Sequence, residues 1–244
     1  MKADEASQRR LLDLQALDTR LGQIAHRRGK LPQQQVLDAA LAEKGAVDTD
    51  LIKARTQQSD VRREVAKAES DVQLVRDRAA RDRERMAAGG GAKELQSLQH
   101  ELDSLARRQA ELEDDQLAVM ERAEGIDALV AHLEQRSGEL GAAVATAESA
   151  RDAAVGELDA EAGRLRDERA TVTPDIAAPL LDLYEKVRLQ TGMGAAAVVQ
   201  RRCEGCRLEL LGADVARIKA APADEVMRCE ECRRILVRTA ESGL

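Results

Sequence analysis

Residues 87–105, which read AAGGGAKELQSLQHELDSL, decide the fold of this chain. Three consecutive glycines, Gly89 to Gly91, end a helix and allow the chain to reverse. A leucine repeat begins directly after them, and another heptad stripe precedes them. Two helical arms of similar length that meet at such a turn predict an antiparallel hairpin with its tip near residues 88–92. An open single helix and a parallel dimer are the alternatives.

Heptad repeats define a buried seam on both arms. After the tip, mostly apolar residues occupy the a and d positions of residues 93–168 for about ten heptads, which is typical of a coiled coil. Before the tip, residues 33–87 carry a stripe of small and β-branched side chains that starts with Leu37 at an a position. Residues 5–28 carry a further apolar stripe, and its phase differs by two residues from that of the 33–87 stripe. The segment Gly29-Lys30-Leu31-Pro32 lies between these two stripes and predicts a kink or short break near 29–32.

The composition agrees with long helices and narrow seams. The chain has no Phe or Trp and a single tyrosine, Tyr184, while 34% of its residues are charged and its mean hydropathy is −0.43. A formal net charge of −7 argues against general affinity for polyanions. No apolar run approaches the roughly 20 residues of a membrane span, and the N-terminal residues do not resemble a signal peptide. We therefore expect a cytoplasmic protein.

All the cysteines of the chain lie near its end, as two Cys-x-x-Cys pairs separated by 22 residues: Cys203, Cys206, Cys229 and Cys232. Two such pairs supply four thiolates at the spacing of a tetrahedral zinc site, so we predict one structural Zn²⁺. Disulfides would need an oxidising compartment, a thioredoxin-type redox pair would need a βαβ pattern, and an iron–sulfur cluster is the remaining alternative. Four buried cysteines without a metal fit the paired spacing poorly.

The segment between the arms and the cysteines has its own signals. Thr173-Pro174-Asp175 predicts a helix N-terminus, with a helix over residues 175–190. Apolar runs at 208–211 and 235–237 predict hairpin strands around the metal, with a brief helix over 213–221. The predicted fold class is mainly α, a long antiparallel coiled-coil hairpin plus a small C-terminal β zinc ribbon. The predicted domains are residues 1–172 for the hairpin, 173–194 for a linker helix and 195–244 for the C4 ribbon.

The chain resembles the bacterial C4-type zinc-ribbon proteins with a long N-terminal coiled-coil hairpin, and the actinobacterial branch is most similar. The resemblance covers nearly the whole chain and depends on Lys93–Asp103, Leu183–Arg188 and the two cysteine knuckles. It implies a helical hairpin with a zinc ribbon, in a family to which nucleic-acid binding has been ascribed. Members in flagellated bacteria and in bacteria with type III secretion are linked to an alternative sigma factor, export components and messenger RNA. One departure is that Arg207 and Arg233 follow the knuckles, where such ribbons often have glycine.

Two functions fit this organisation. The first is a zinc-binding adaptor or scaffold whose arms contact a protein partner and whose ribbon contacts protein or nucleic acid. The alternative is an RNA- or DNA-binding regulator that uses arginines around the knuckles. The candidate phosphate-binding residues are Arg201, Arg202, Arg207, Arg228, Arg233 and Arg234. Against this alternative, residues 196–240 hold nine basic and seven acidic residues and no aromatic ring for base stacking.

We expect no enzymatic activity and no small-molecule substrate. Four thiolates saturate zinc, whereas catalytic zinc keeps one position open for water or substrate. The three histidines, His26, His100 and His132, all lie on predicted coiled-coil helices, and no phosphate-binding loop or nucleophile motif is present.

Overall fold

The computed structural model describes all residues from Met1 to Leu244. Five α-helices and four short strands follow one another along the chain. The helices are α1 (Glu5–Arg28), α2 (Pro32–Ala87), α3 (Ala92–Val172), α4 (Ala178–Thr191) and α5 (Gly212–Ala220). The strands are β1 (Ala195–Val199), β2 (Arg202–Cys203), β3 (Met227–Arg228) and β4 (Ile235–Val237). The chain divides into two compact units: residues 35–149, and residues 1–34 together with 150–244.

Residues 35–149 form an antiparallel helical hairpin, as the heptads predict. Its turn lies between the end of α2 at Ala87 and the start of α3 at Ala92, where Gly89 adopts a left-handed φ of 85°. Glycine takes this conformation without the steric cost that a side chain would add. The buried apolar residues of both arms all occupy predicted a or d positions. They are Leu37, Leu51, Ala54, Val61, Val72 and Ala79 on α2, and Leu98, Val130, Leu140, Val144 and Ala147 on α3.

Ion pairs cross between the two arms of this hairpin at intervals along its length. Arg55 bonds Glu134 at 2.8 Å, and Arg76 bonds Glu113 at 2.6 Å. The remaining cross-arm pairs are Arg62–Asp127, Arg78–Glu101, Arg85–Glu94, Arg122–Glu64 and Arg136–Glu43. Exposed pairs each contribute about 0–1 kcal/mol. Their main physical effect is therefore to favour one register of the two arms.

The second unit combines the N-terminal helix with the ribbon. α1 begins with a cap in which the Asp4 carboxylate accepts hydrogen bonds from the Ser7 amide and hydroxyl at 2.8 and 2.7 Å. It ends at Arg28, and α2 starts at Pro32, so the helix is interrupted where the glycine–proline segment predicted it. Against α3, α1 buries Leu17 and Ile24.

The buried face of α3 departs from the predicted heptad positions where α3 packs against α1. Ala162 is buried, although the repeat placed Glu161 at the d position. A straight α-helix departs from a strict seven-residue repeat by about 20° per heptad, so the contacting face moves round the helix over a long arm.

One apolar core joins the ribbon to the helices of this unit. It contains residues from α1, α4, β1 and β4 and the segments beside them: Ala3, Leu11, Leu14, Ile176, Leu180, Tyr184, Ala195, Ile235 and Val237. The N-terminus also contacts the ribbon directly, because the Ala3 amide donates to the Asp224 carbonyl at 2.8 Å. Residues 173 and 195 both lie within this compact unit, and α4 contributes side chains to its core.

Two local predictions differ from the structure. The helix predicted to start after Thr173 begins at Ala178 instead, and Thr173–Asp175 is a 3-10 turn at the end of α3. The Thr173 hydroxyl donates back to the Arg169 carbonyl at 3.0 Å, so it stabilises the preceding helix, while Pro179 occupies the first turn of α4. The run 208–211 is not a strand: only Glu209 forms a bridge, with Arg202.

The sheet has the strand order β2-β1-β4-β3. β1 and β4 pair in parallel, with Ala195 opposite Ile235, whereas the two outer pairs are antiparallel. A parallel pair cannot be joined by a tight hairpin. The connection from β1 to β4 is accordingly long, and it contains both knuckles and α5. Because β1 and β4 are neighbours in the sheet, the two knuckles lie close together.

Candidate metal centre

Both knuckles have the same backbone geometry. In the first, the Arg207 amide donates to the Cys203 carbonyl at 2.7 Å, and the Cys203 amide donates to the Leu208 carbonyl at 3.0 Å. In the second, the Arg233 amide donates to Cys229 at 3.0 Å, and the Cys229 amide donates to the Arg234 carbonyl at 3.0 Å. This repetition indicates two copies of one loop that present equivalent sulfur pairs.

The residue after each knuckle adopts a left-handed backbone. Arg207 has a φ of 62° and Arg233 a φ of 63°. This is the conformation for which related ribbons often have glycine, and arginine reaches it at a modest steric cost. The departure from glycine therefore leaves the shape of the knuckle intact.

The four cysteine sulfurs form one cluster. Sγ of Cys203 lies 3.8 Å from that of Cys232, Sγ of Cys206 lies 3.9 Å from that of Cys229, and all four lie within 4.8 Å of one another. Zinc–sulfur bonds of about 2.3 Å in a tetrahedron separate the sulfurs by about 3.8 Å. The cysteines therefore fit one structural Zn²⁺, and no other group of three or more ligating side chains occurs in the chain.

The environment of the thiols changes how readily each one loses its proton. Burial raises the pKa of Cys203 to about 12 when no metal is bound, although backbone amides of Cys206 and Gly205 oppose this effect. Burial also raises the pKa of Cys229. For Cys232, burial acts in the same direction, but hydrogen bonds from the Arg234 amide and the neighbouring thiols lower its pKa overall. Zinc replaces these protons, so metal binding by this cluster releases protons.

The structure assigns different positions to the six candidate phosphate-binding arginines. The Arg234 guanidinium is half-buried and donates to the Gly205 carbonyl at 2.5 Å and the Thr191 carbonyl at 3.0 Å, so it connects the first knuckle to α4. Arg228 donates to the Arg233 carbonyl at 2.8 Å, and Arg201 donates to the Gly243 carbonyl at 2.9 Å. These side chains are engaged with the backbone of the ribbon itself.

The other three candidates extend into solvent. Arg202 and Arg207 are exposed and make no side-chain hydrogen bond or ion pair, and Arg233 has only a distant ion pair with Glu230 at 3.9 Å. The predicted set is therefore brought together only in part. Arg234 in particular has a structural role, because its position on the knuckle places it against two carbonyl oxygens.

A buried polar network at the base of the ribbon was missed by the sequence analysis. The Tyr184 hydroxyl donates to Oδ2 of Asp18 at 2.8 Å, and Oδ1 of Asp18 accepts from Arg169 at 2.8 Å. Oε1 of Gln15 accepts from the Gly194 amide at 2.7 Å. The network joins α1, α3, α4 and the start of β1, and burial raises the pKa of Tyr184 far above its usual value. The available signals were polar residues beside the α1 stripe and the single aromatic residue.

Together, the hairpin and the four-cysteine cluster define a coiled-coil zinc-ribbon protein. Residues 14–192 match the CT398-like coiled coil hairpin domain, and residues 202–236 match the C4-type zinc ribbon domain. The chain belongs to this family of coiled-coil hairpin proteins with a C-terminal zinc ribbon.

Mycobacterial relatives match over most of their length. "Uncharacterized protein Rv2229c" of Mycobacterium tuberculosis is 40% identical over 239 residues, covering 98% of each chain. "Uncharacterized protein ML1638" of Mycobacterium leprae is 30% identical, covering 88% of this chain and 93% of the relative. These mycobacterial relatives agree with the actinobacterial branch that the sequence indicated.

Solved structures share the fold. A protein from Mycobacterium smegmatis aligns with a TM-score of 0.89 at 41% identity, covering 98% of this chain and all of the other. CT398 from Chlamydia trachomatis aligns with a TM-score of 0.72 at 18% identity, covering 96% and 98%. The latter likeness concerns the fold alone. No helix of the chain has an apolar stretch that could cross a bilayer.

Proposed function

We propose that this protein is a zinc-dependent adaptor that binds a protein partner through its helical arms, without enzymatic activity. The observation that carries the proposal is the closed sulfur cluster. All four positions of a tetrahedral zinc are supplied by cysteine, so no position is left for a water or substrate. In this proposal zinc stabilises the ribbon, and the protein functions by binding partners at its surface.

The arms offer a charged docking surface near the glycine turn. Most arginines of α2 are bonded to acids on α3 or on α2 itself, but Arg81 and Arg83 are exposed and have no hydrogen bond or ion pair. Cations without intramolecular partners can bond an acidic surface on another protein without breaking existing pairs. This supports a partner with acidic side chains at the hairpin tip. A solvated helix face is the simpler interpretation that the experiment must exclude.

Site-specific photocrosslinking in cells that contain the native partners tests this proposal. A photoreactive residue at Arg81 should trap a recurring protein adduct that survives nuclease treatment. The matched control places the same group at Arg63, which is exposed on the same helix but paired with Asp60. If Arg81 yields no adduct beyond those of Arg63, binding through the tip is wrong.

Nucleic-acid contact through the ribbon is the second candidate. It is supported by Arg202 and Arg207, which are exposed and without partners. Each phosphate contact contributes a slope of about −0.7 to −0.9 to the dependence of log affinity on log salt. Replacing both arginines with alanine should reduce that slope by nearly two for the full chain, while Arg9→Ala with Arg63→Ala should not. Absence of binding to mixed oligonucleotides at low salt would rule this candidate out.

A further inference from the structure

A cleft of about 250 Å³ that is lined by leucines and carboxylates opens beside Cys206 and Cys229. Its apolar surface comes from the loop that follows the first knuckle, where Leu208 and Leu211 are 52% and 68% exposed and Leu210 is half-buried. We call this site the leucine–acid cleft and define it by Leu208, Leu210, Leu211, Glu209 and Glu231. Two adjacent exposed leucines on so small a module expose apolar area that a binding partner can cover.

The backbone holds these leucines in place. The Leu208 carbonyl accepts from the Cys203 amide at 3.0 Å, the Leu210 amide donates to the Arg201 carbonyl at 2.8 Å, and the Leu211 carbonyl accepts from the Val215 amide at 2.9 Å. The loop is thus fixed on both sides, by the knuckle and by the first turn of α5. A preformed apolar surface loses little conformational entropy when a ligand binds.

The walls of the cleft are acidic. Four carboxylates line it, and no basic side chain does: Glu209, Asp214, Glu230 and Glu231. Arg217 bonds both Asp214 at 3.0 Å and Glu230 at 2.9 Å, and Arg233 lies 3.9 Å from Glu230, but Glu209 and Glu231 make no ion pair. Cys206 and Cys229 also line the cleft, and a zinc ion with four thiolates would have a formal charge of −2. The side chains that line the cleft therefore carry a net negative charge, which favours a cationic ligand over an anionic one.

We propose that the leucine–acid cleft docks a short basic amphipathic segment of a protein partner. Apolar side chains of that segment cover Leu208 and Leu211, and lysine or arginine side chains bond Glu209 and Glu231. The unpaired carboxylates favour this occupant over a nucleic acid, because they attract lysine and arginine side chains and repel phosphate groups. The inference extends the proposed adaptor function by adding a second, chemically distinct docking site on the ribbon, and it rests on that function.

The full-length zinc-loaded protein provides the test. Three labelled 12-residue peptides serve as probes: one of leucine and lysine in an amphipathic order, one of leucine and glutamate in that order, and one of serine and lysine. Fluorescence anisotropy should show binding of the leucine–lysine peptide only. Leu208→Ser with Leu211→Ser, and separately Glu209→Gln with Glu231→Gln, should each weaken it roughly tenfold or more.

Matched controls separate this site from general attraction to an acidic chain. Leu189→Ser removes a leucine that is 80% exposed on α4, and Glu204→Gln removes an exposed ribbon carboxylate outside the cleft. Neither should change the affinity, and the fluorescence of Tyr184 should confirm that every variant is folded. Equal binding by all variants, or no binding by the unaltered chain, would overturn the proposal. Loss of a dimer in the leucine variant without loss of peptide binding would overturn it in favour of self-association.

This test and the crosslinking test fail independently. A missing adduct at Arg81 with peptide binding intact contradicts the arm-based function, whereas loss of peptide specificity with the Arg81 adduct intact contradicts only the cleft.

Discussion

Replacing Gly194 with alanine adds a methyl group where the chain has no room for it. The new Cβ would lie 2.4 Å from Cδ2 and 2.5 Å from Cε2 of Tyr184, and 2.8 Å from the Tyr184 carbonyl oxygen. The ring is fully buried, so it cannot rotate into solvent. Gly194 does not have a left-handed backbone, so the effect of the substitution is steric.

The expected loss of stability follows from these contacts. Adding a methyl group to a well-packed core costs typically about 1–3 kcal/mol. Moving the strand away from the ring also strains the bond from the Gly194 amide to Gln15, at 2.7 Å, which adds about 1 kcal/mol. We expect a total of about 2–4 kcal/mol, which lowers the midpoint of urea unfolding by roughly 1–2 M.

Tyrosine fluorescence reports this transition selectively, because Tyr184 is the only aromatic residue of the chain and belongs to the unit that contains the ribbon. Unfolding in urea with saturating zinc should show the lowered midpoint for Gly194→Ala. The control is Gly22→Ala on α1, where the new methyl group meets no atom within 4 Å. Alanine should stabilise that helix by up to about 1 kcal/mol. A midpoint for Gly194→Ala equal to or above that of the unaltered chain would refute the packing argument.

Three further outcomes are expected. Tyr184→Phe removes the hydroxyl that donates to Asp18 and should destabilise the chain by about 1.5–3 kcal/mol in a circular-dichroism melt; an unchanged melt would contradict a role for this bond. Arg234→Ala should lower stability by about 2–3 kcal/mol in the tyrosine assay, whereas Arg228→Ala, with one exposed bond, should cost less; equal losses would oppose a structural role for Arg234. Because zinc displaces a proton from Cys203, whose metal-free pKa is about 12, zinc affinity should fall as the pH falls; a chromophoric chelator that removes zinc equally well at pH 6 and pH 8 would argue against this coupling.

The helical hairpin was predictable because its pattern is local and repeated. Each buried apolar residue of the 35–149 unit lies at a position that the heptads assigned, and the glycine turn marks the reversal without reference to any distant residue. The cysteine spacing is equally informative, since a tetrahedral metal accepts few arrangements of two sulfur pairs.

The C-terminal strands were less predictable. Residues 208–211 are rich in leucine, but only 235–237 have neighbouring strands, because β1 and β3 lie on either side of them. Strand formation depends on pairing partners that the local sequence does not reveal. Thr173 could cap either the end of α3 or the start of α4. Its hydroxyl bonds the Arg169 carbonyl, so it belongs to the end of α3.

By itself, the amino-acid sequence determined the two arms, their turn and the four metal ligands, because periodicity and spacing are properties of neighbouring residues. Only the tertiary structure placed α1, α4 and the ribbon around one core, closed the network of Gln15, Asp18 and Tyr184, and divided the arginines into bonded and exposed groups. The core and the network join α1 to residues more than 150 positions later in the chain, and the bonded arginines also reach carbonyl groups outside their own turn. Such contacts form only when the helices and the sheet are already in place.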